Sequence, residues 1–328
     1  MRVVVFGGYG AVGKVVSGTL GEHEVVVAGR DAAKATIAVD VADPAAVRRA
    51  IDGADVVVMC VERANAEVAR ACLERGVHYV DVSASEGVHD SIIRLDEVAV
   101  ANGATAVLGV GLAPGLTNLL ARRCADRLET PAALDIAVLL GLGEHHGDDA
   151  VRWTVAHLAD RATARRKRVH LPGFGARTAF SFAFSDQRSL ARTLGVAATT
   201  RMCFDSRAAT RALFALRSAG VFAAIRRLRL ERALIAAFSA VHFGSDRFAV
   251  RVDVAGAGGE QVSATATGRA QSRATGIVAA HVVRLLGEGS PPGVRQIDEL
   301  PGSSKVVTAL PAAGILVDED STVHRATR

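Results

Sequence analysis

The chain has 328 residues, enough for one large domain or two of medium size. Half of it is hydrophobic but only 4% is aromatic, so its core must be built from Val, Ala and Leu. The net charge is +5, from 39 Lys and Arg against 34 Asp and Glu, with Arg far outnumbering Lys and no aromatic-and-basic module present. Small anionic ligands are therefore expected as partners rather than nucleic acid. None of Cys60, Cys72, Cys124 and Cys203 stands in a metal-binding spacing. No metal is expected, and four reduced thiols suit a cytoplasmic protein. The most membrane-like stretch, 212–225, is interrupted by Arg217 and is too short to span about 30 Å of hydrocarbon. No membrane partner is expected.

In chain order, residues 2–7 form an apolar run that predicts a strand buried on both faces. Val12, Val15, Val16 and Leu20 then recur at helical spacing. Further strands are predicted at 24–30, 35–41, 54–61, 77–83 and 104–111. Helices are predicted between them: one opened by Asp43 and Pro44, one over 64–75 ended by Gly76, and one over 88–101. Alternation of this kind predicts a Rossmann-type, doubly wound parallel sheet. After Leu128 the pattern changes. Strands are predicted at 134–143, 176–184, 248–256 and 260–268, the last two as a hairpin, and helices at 148–166, 186–194 and 207–240. The basic run 161–168 reads as a solvated helix face, and 272–289 as a long apolar helix returning to the first domain. The reading is thus an α/β chain of two domains: 1–120 with 270–328 returning to it, and an α+β domain at 121–269 with a mostly antiparallel sheet. The tail from Asp318 is expected to fray.

Gly8-Tyr9-Gly10-Ala11-Val12-Gly13 is G-x-G-x-x-G set between the first strand and the first helix. That context is the one in which the pattern reads as a dinucleotide fingerprint. Gly8 is assigned the tight turn, Gly10 close approach of the pyrophosphate, and Gly13 close packing of helix on strand. At the end of the second strand an NAD-binding chain normally carries an acidic residue for the ribose 2′-hydroxyl. Here the sequence reads Arg30-Asp31, with Lys34 nearby. A guanidinium at this place suits a 2′-phosphate, so NADP(H) is the preferred cofactor, with NAD(H) through Asp31 as the alternative. Asp40 and Val41 are placed at the adenine edge, and Cys60 and Val61 near the nicotinamide ribose.

These residues and others resemble the saccharopine dehydrogenase-like family of NAD(P)-dependent oxidoreductases. The resemblance is carried by "GGYGAVG" at 7–13, "VVVAGRD" at 25–31, "GVHYVDVSAS" at 76–85, "GVGLAPGLTNLLA" at 109–121, "FSDQRSLARTLGV" at 184–196 and "GRAQSRATGIVAAHVVRLL" at 268–286. It implies a Rossmann domain, a substrate domain inserted before the C-terminal helix, and a homodimer. The family's Asp-Pro-Gly, followed by His, is replaced here by Ala113-Pro114-Gly115 and Asn118. A small amino-acid or imine-type metabolite is therefore expected as substrate rather than saccharopine itself.

Three segments carry residues suited to the chemistry. Asp81 and Ser83 follow the fifth strand, Asp81 to orient an amine and Ser83 to reach the nicotinamide region. Pro114 and Gly115 are read as opening a helix whose N-terminus holds a substrate carboxylate, with Asn118 hydrogen-bonding the substrate. The segment 141–154 holds His145 and His146 for proton transfer, Arg152 as a carboxylate clamp and as part of the catalytic set, and Trp153 against the substrate. Two other readings stand beside this one: a catalytically silent dinucleotide-binding sensor or scaffold, and an enoyl reductase on a lipid-like substrate, suggested by the apolar 208–243 region.

Overall fold

Val3, Val4, Val5 and Phe6 have no exposed surface. They form β1 (Arg2–Phe6), a strand covered on both faces as its unbroken apolar run requires. The computed structural model describes residues 1–144, 148–160, 165–240, 244–319 and 324–325. These form two compact units, Met1–Leu119 with Ser272–Ala313, and Leu120–Gln271 with the segment from Gly314 onward.

In the first unit β1 is an interior strand of a seven-stranded parallel sheet. On one side are β2 (Glu24–Gly29) and β3 (Ile37–Ala38). On the other are β4 (Val56–Met59), β5 (His78–Asp81), β6 (Thr105–Leu108) and β13 (Gly293–Gln296). The spatial order β3-β2-β1-β4-β5-β6 is that of the dinucleotide-binding doubly wound fold. Helices α1 (Ala11–Thr19), α2 (Pro44–Ala50), α3 (Asn65–Leu73), α4 (Glu86–Ile93) and α5 (Asp96–Ala101) make the connections. Asp43 caps α2, its Oδ1 accepting from the backbone of Ala45 and Ala46 at 2.9 and 3.2 Å, with Pro44 at the first helical position. The single helix expected over 88–101 is two helices. The chain leaves helical geometry at Leu95 (φ −96°, ψ 9°), whose side chain is buried. The third strand is two residues rather than the seven of 35–41, and the four-residue β13 was absent from the sequence reading.

The second unit is built on a mixed sheet in the order β14-β12-β11-β7-β10-β9-β8. Its strands are β7 (Pro131–Leu140), β8 (Arg166–Leu171), β9 (Gly175–Ser181), β10 (Ala198–Phe204), β11 (Arg247–Gly256), β12 (Glu260–Arg269) and β14 (Leu316–Glu319). All neighbours are antiparallel except β7 and β10. The hairpin of β11 and β12 forms as expected. Ala137, Leu139, Val169, Leu171, Ala179, Cys203 and Ala249 pack together as one core. Around the sheet lie α7 (Asp148–Leu158), α8 (Asp186–Leu194), α9 (Arg207–Ser218), α10 (Val221–Arg227) and α11 (Glu231–Ala240).

Three expectations are corrected here. The basic run is not a helix face where it is described: Arg166–Leu171 is a strand, with buried Val169 and Leu171 alternating with exposed Arg168 and His170. Residues 161–164 lie outside the described residues. The helix expected over 207–240 is broken twice, at Gly220 (φ +76°) and Arg229 (φ +58°), both in left-handed geometry. The segment from Gly314 belongs to the second unit, because β14 adds to β12 with Leu316 opposite Thr267, and the pair His324–Arg325 (β15) also joins β12. Among the described residues no single helix is long and apolar enough to cross a membrane; the bent pair α9 and α10, at 59°, meets that test by length and composition only.

Candidate dinucleotide site

The glycine loop connects β1 to α1. The left-handed turn is made by Gly7 (φ +73°), one residue before the position assigned to it from the sequence. Gly8 has a different reason to lack a side chain: a Cβ there would lie 2.9 Å from the Val5 carbonyl oxygen and 3.0 Å from Val27. At Gly13 a Cβ would meet the Gly7 carbonyl oxygen at 2.3 Å and the Gly8 Cα at 2.6 Å, so α1 can approach the strand only through glycine. Gly10 is the N-cap of α1 and supplies no side-chain acceptor. The first N–H groups of the helix, from Ala11 to Gly13, have no partner within it. The loop is thus a cradle of glycine backbone, with the Tyr9 side chain turned onto the end of β2, ending at a positive helix terminus. This is the geometry a pyrophosphate requires, and the residues present fit a dinucleotide.

At the end of β2 the Tyr9 ring lies over Gly29, and the backbone N–H of Asp31 donates to the Tyr9 hydroxyl at 3.2 Å. Asp31 is engaged by Lys34 at 2.8 Å and by the Ala33 N–H at 3.1 Å. The hydrogen bond from Lys34, then that from Ala33, lowers its carboxyl below the ordinary range. Lys34 is therefore tied to Asp31 and is not a free second cation. Arg30 is exposed and has no hydrogen-bond or ion-pair partner among the described residues. Asp40 is exposed, its Oδ1 accepting from the Ala42 N–H at 3.0 Å, and Val41 packs against the core of this unit.

Val61 covers Gly7, where a Cβ would come within 2.6 Å of the Val61 side chain. Burial, then the charge of Asp81, pushes the Cys60 thiol up to about 12, so it is no nucleophile at neutral pH. Asp81 is fully buried. It accepts from the Tyr79 hydroxyl at 2.7 Å, the Asn65 amide at 2.9 Å and the Ser83 N–H at 2.8 Å. A carboxylate held by three donors inside the fold is a framework group rather than the amine-orienting group expected from the sequence. What it holds is the turn containing Ser83. The Ser83 hydroxyl is buried and without a hydrogen-bond partner, and its carbonyl is 3.0 Å from Nε2 of buried His89. Tyr79, Asn65 and His89 were missed from the sequence, where only the adjacency of Tyr79 and Asp81 at i, i+2 on one strand face could have signalled the cluster.

The loop after β6 differs from expectation. Pro114 and Gly115 do not open a helix: Gly115 has φ +129° and ψ −92°, and α6 begins at Thr117 (Thr117–Ala125). The Gly115 N–H donates to Asn118 Oδ1 at 3.1 Å, and Asn118 Nδ2 reaches Asp298 Oδ1 at 3.4 Å. Pro114, Gly115 and Asn118 are all buried, and Asn118 ties this loop to Asp298. In the second unit Arg152 is exposed on α7. Trp153 lies in an aromatic cluster, 4.3 Å from the His157 ring centroid, 5.2 Å from Phe184 and 5.6 Å from Phe182. Its indole N–H is buried without a partner. Glu144 accepts from the N–H of Gln271 at the first residue of α12 (Gln271–Gly287). His145 and His146 lie outside the described residues.

A parallel sheet in this strand order, with a glycine cradle between its first strand and first helix, defines an NAD(P)-binding domain of the dehydrogenase type. Residues 3–107 match the family model described as saccharopine dehydrogenase NADP binding domain. This stretch therefore reads as a saccharopine dehydrogenase-type NADP binding domain, in line with the resemblance of its motifs. Its fold is shared with apo histidine-tagged saccharopine dehydrogenase (L-Glu forming) from Saccharomyces cerevisiae. The two are 16% identical with a TM-score of 0.67, over 98% of this chain and 100% of that one. A meso-dapdh mutant with DAP, from Clostridium tetani E88, is similar at 14% identity and a TM-score of 0.50, over 92% of this chain and 95% of that one.

Proposed function

We propose that the protein is an NADP-preferring oxidoreductase that acts on a C–N bond of a small amino-acid or imine-type metabolite. The observation that carries the cofactor preference is the pairing at the end of β2. Asp31, the residue that would accept from a ribose 2′-hydroxyl, is already occupied by Lys34 and Ala33, while Arg30 stands exposed and unpaired. A free guanidinium at that place suits a 2′-phosphate. Bound in the glycine cradle, the dinucleotide supplies or accepts the hydride. The backbone of Gly10 to Gly13 holds its pyrophosphate, and Ser83, with its unpartnered hydroxyl, is the donor available at the end of β5.

The substrate class rests on the family resemblance and on the two solved structures, named for a saccharopine dehydrogenase and a meso-dapdh. Under this reading His146 or His145 exchanges the proton, Arg152 holds a carboxylate and Trp153 borders the substrate. The protein acts as a homodimer in the cytoplasm. The experiment is NADPH oxidation against a panel of imino- and keto-acids with ammonia or amines. His146→Ala should lower turnover about 10²–10⁴-fold and leave NADPH affinity unchanged. Turnover retained in both His146→Ala and His145→Ala from pH 6 to 9 would remove these histidines from the reaction.

A further inference from the structure

Four arginines of the second unit border one cavity of about 240 Å³: Arg168 of β8, Arg177 of β9, and Arg207 and Arg211 of α9, with Thr178 and Thr210 between them. None of its lining residues is acidic. Arg177 Nη1 and Arg207 Nη2 converge on a single neutral acceptor, the Ala176 carbonyl oxygen, at 3.3 and 3.2 Å. Arg177 Nε is buried with no partner, and Arg168 and Arg211 have no hydrogen-bond or ion-pair partner among the described residues. Arg207 and Arg211 stand at i and i+4 on one helix, where like charges repel. Elsewhere in this unit arginines meet carboxylates, as Arg201 and Arg251 do with Asp135 and Asp253.

Like charges gathered around a cavity without a counter-charge leave an electrostatic cost that a bound anion removes. Guanidinium forks match the oxygens of a phosphoryl group, and the Thr178 hydroxyl adds a donor, while the Thr210 hydroxyl is bonded to the Ser206 carbonyl at 2.9 Å. We propose that this cavity is a binding site for a phosphoryl-type dianion, formed entirely by the second unit and separate from the glycine cradle. Its volume is below the range of about 300–1,000 Å³ typical of whole organic ligands, so it takes the phosphoryl group rather than an entire nucleotide. The group can come from a soluble phosphate-bearing molecule or from a lipid headgroup.

The test is calorimetric titration of inorganic pyrophosphate into the full chain. Because the glycine cradle also suits a pyrophosphate, the site read is the one that remains in Gly10→Val, and its affinity there should fall at least about tenfold when Arg207→Gln/Arg211→Gln is added. Arg168→Gln/Arg211→Gln removes two guanidiniums that make no bond, so it reads the same effect if the first variant fails to fold. Sedimentation with phosphatidylcholine vesicles containing phosphatidate separates the sources. Arginine-dependent vesicle binding displaced by pyrophosphate assigns the headgroup, and pyrophosphate binding without vesicle binding assigns the soluble ligand. No pyrophosphate binding in Gly10→Val, or equal affinity there with and without either pair of arginine substitutions, would overturn the proposal.

Discussion

The Tyr9 ring occupies the space that a side chain at Gly29 would need: a Cβ on Gly29 would lie 2.4 Å from Tyr9 Cε1. The same ring offers its hydroxyl to the N–H of Asp31, so one tyrosine fixes the end of β2 at the point where the cofactor is distinguished. Gly29→Ala must push the ring aside. It should cost about 1–3 kcal/mol of stability by overpacking, and Tyr9→Ala in the same chain should recover part of that cost. A double-mutant cycle by urea denaturation checks this. Strictly additive effects would show that the two positions do not compete for space.

Asp81 supports the turn that carries Ser83. Asp81→Asn keeps the shape but replaces one acceptor oxygen with a donor, facing Tyr79, Asn65 or Ser83. Each lost bond to the carboxylate should cost about 1.5–3 kcal/mol. Denaturation should show that loss, while the pH profile of turnover in the surviving folded enzyme should keep its shape. A profile that loses a limb would instead give Asp81 a direct proton role.

The thiols should be silent in the native protein. Burial pushes Cys124 and Cys203 up to about 12, burial and Asp81 do the same for Cys60, and burial carries Cys72 higher still. A thiol whose folded value lies above its ordinary value of 9.0 contributes stability that is complete below about pH 9. That stability falls as pH climbs from there toward 12, because the unfolded chain ionises first. Titration with a disulfide reagent at pH 8 should label none of the four without denaturant. The urea midpoint should fall between pH 9 and 10.5. Rapid native labelling of Cys60, which is partly exposed, would contradict this account.

Most of the first unit was legible because a parallel sheet buries both faces of its strands. Val3–Phe6 and Val56–Met59 therefore appear as unbroken apolar runs divided by glycine and capping signals. The second unit hides its edges. In β8 only Val169 and Leu171 are buried, and the exposed Arg166, Lys167 and Arg168 before them resemble a solvated helix. In β10 the buried residues include Thr200 beside Met202 and Cys203, too polar a pattern to stand out. The site divides in the same way. The glycine cradle and Arg30 lie in one continuous stretch and could be read directly. The three donors to Asp81 come from a strand, a helix and a turn, and the four arginines of the cavity from two strands and a helix. Such groupings exist only after folding.

The central claim is that Arg30, not Asp31, selects the cofactor. NADPH and NADH affinities of the wild type and Arg30→Ala, measured side by side by cofactor fluorescence, test it most directly. The wild type should bind NADPH more tightly. Arg30→Ala should lose about 1.5–3 kcal/mol for NADPH, the size of a charge-assisted contact, with NADH affinity nearly unchanged, because only NADPH carries the 2′-phosphate. Equal losses for the two cofactors, or a wild type that prefers NADH, would contradict the assignment and return the ribose contact to Asp31.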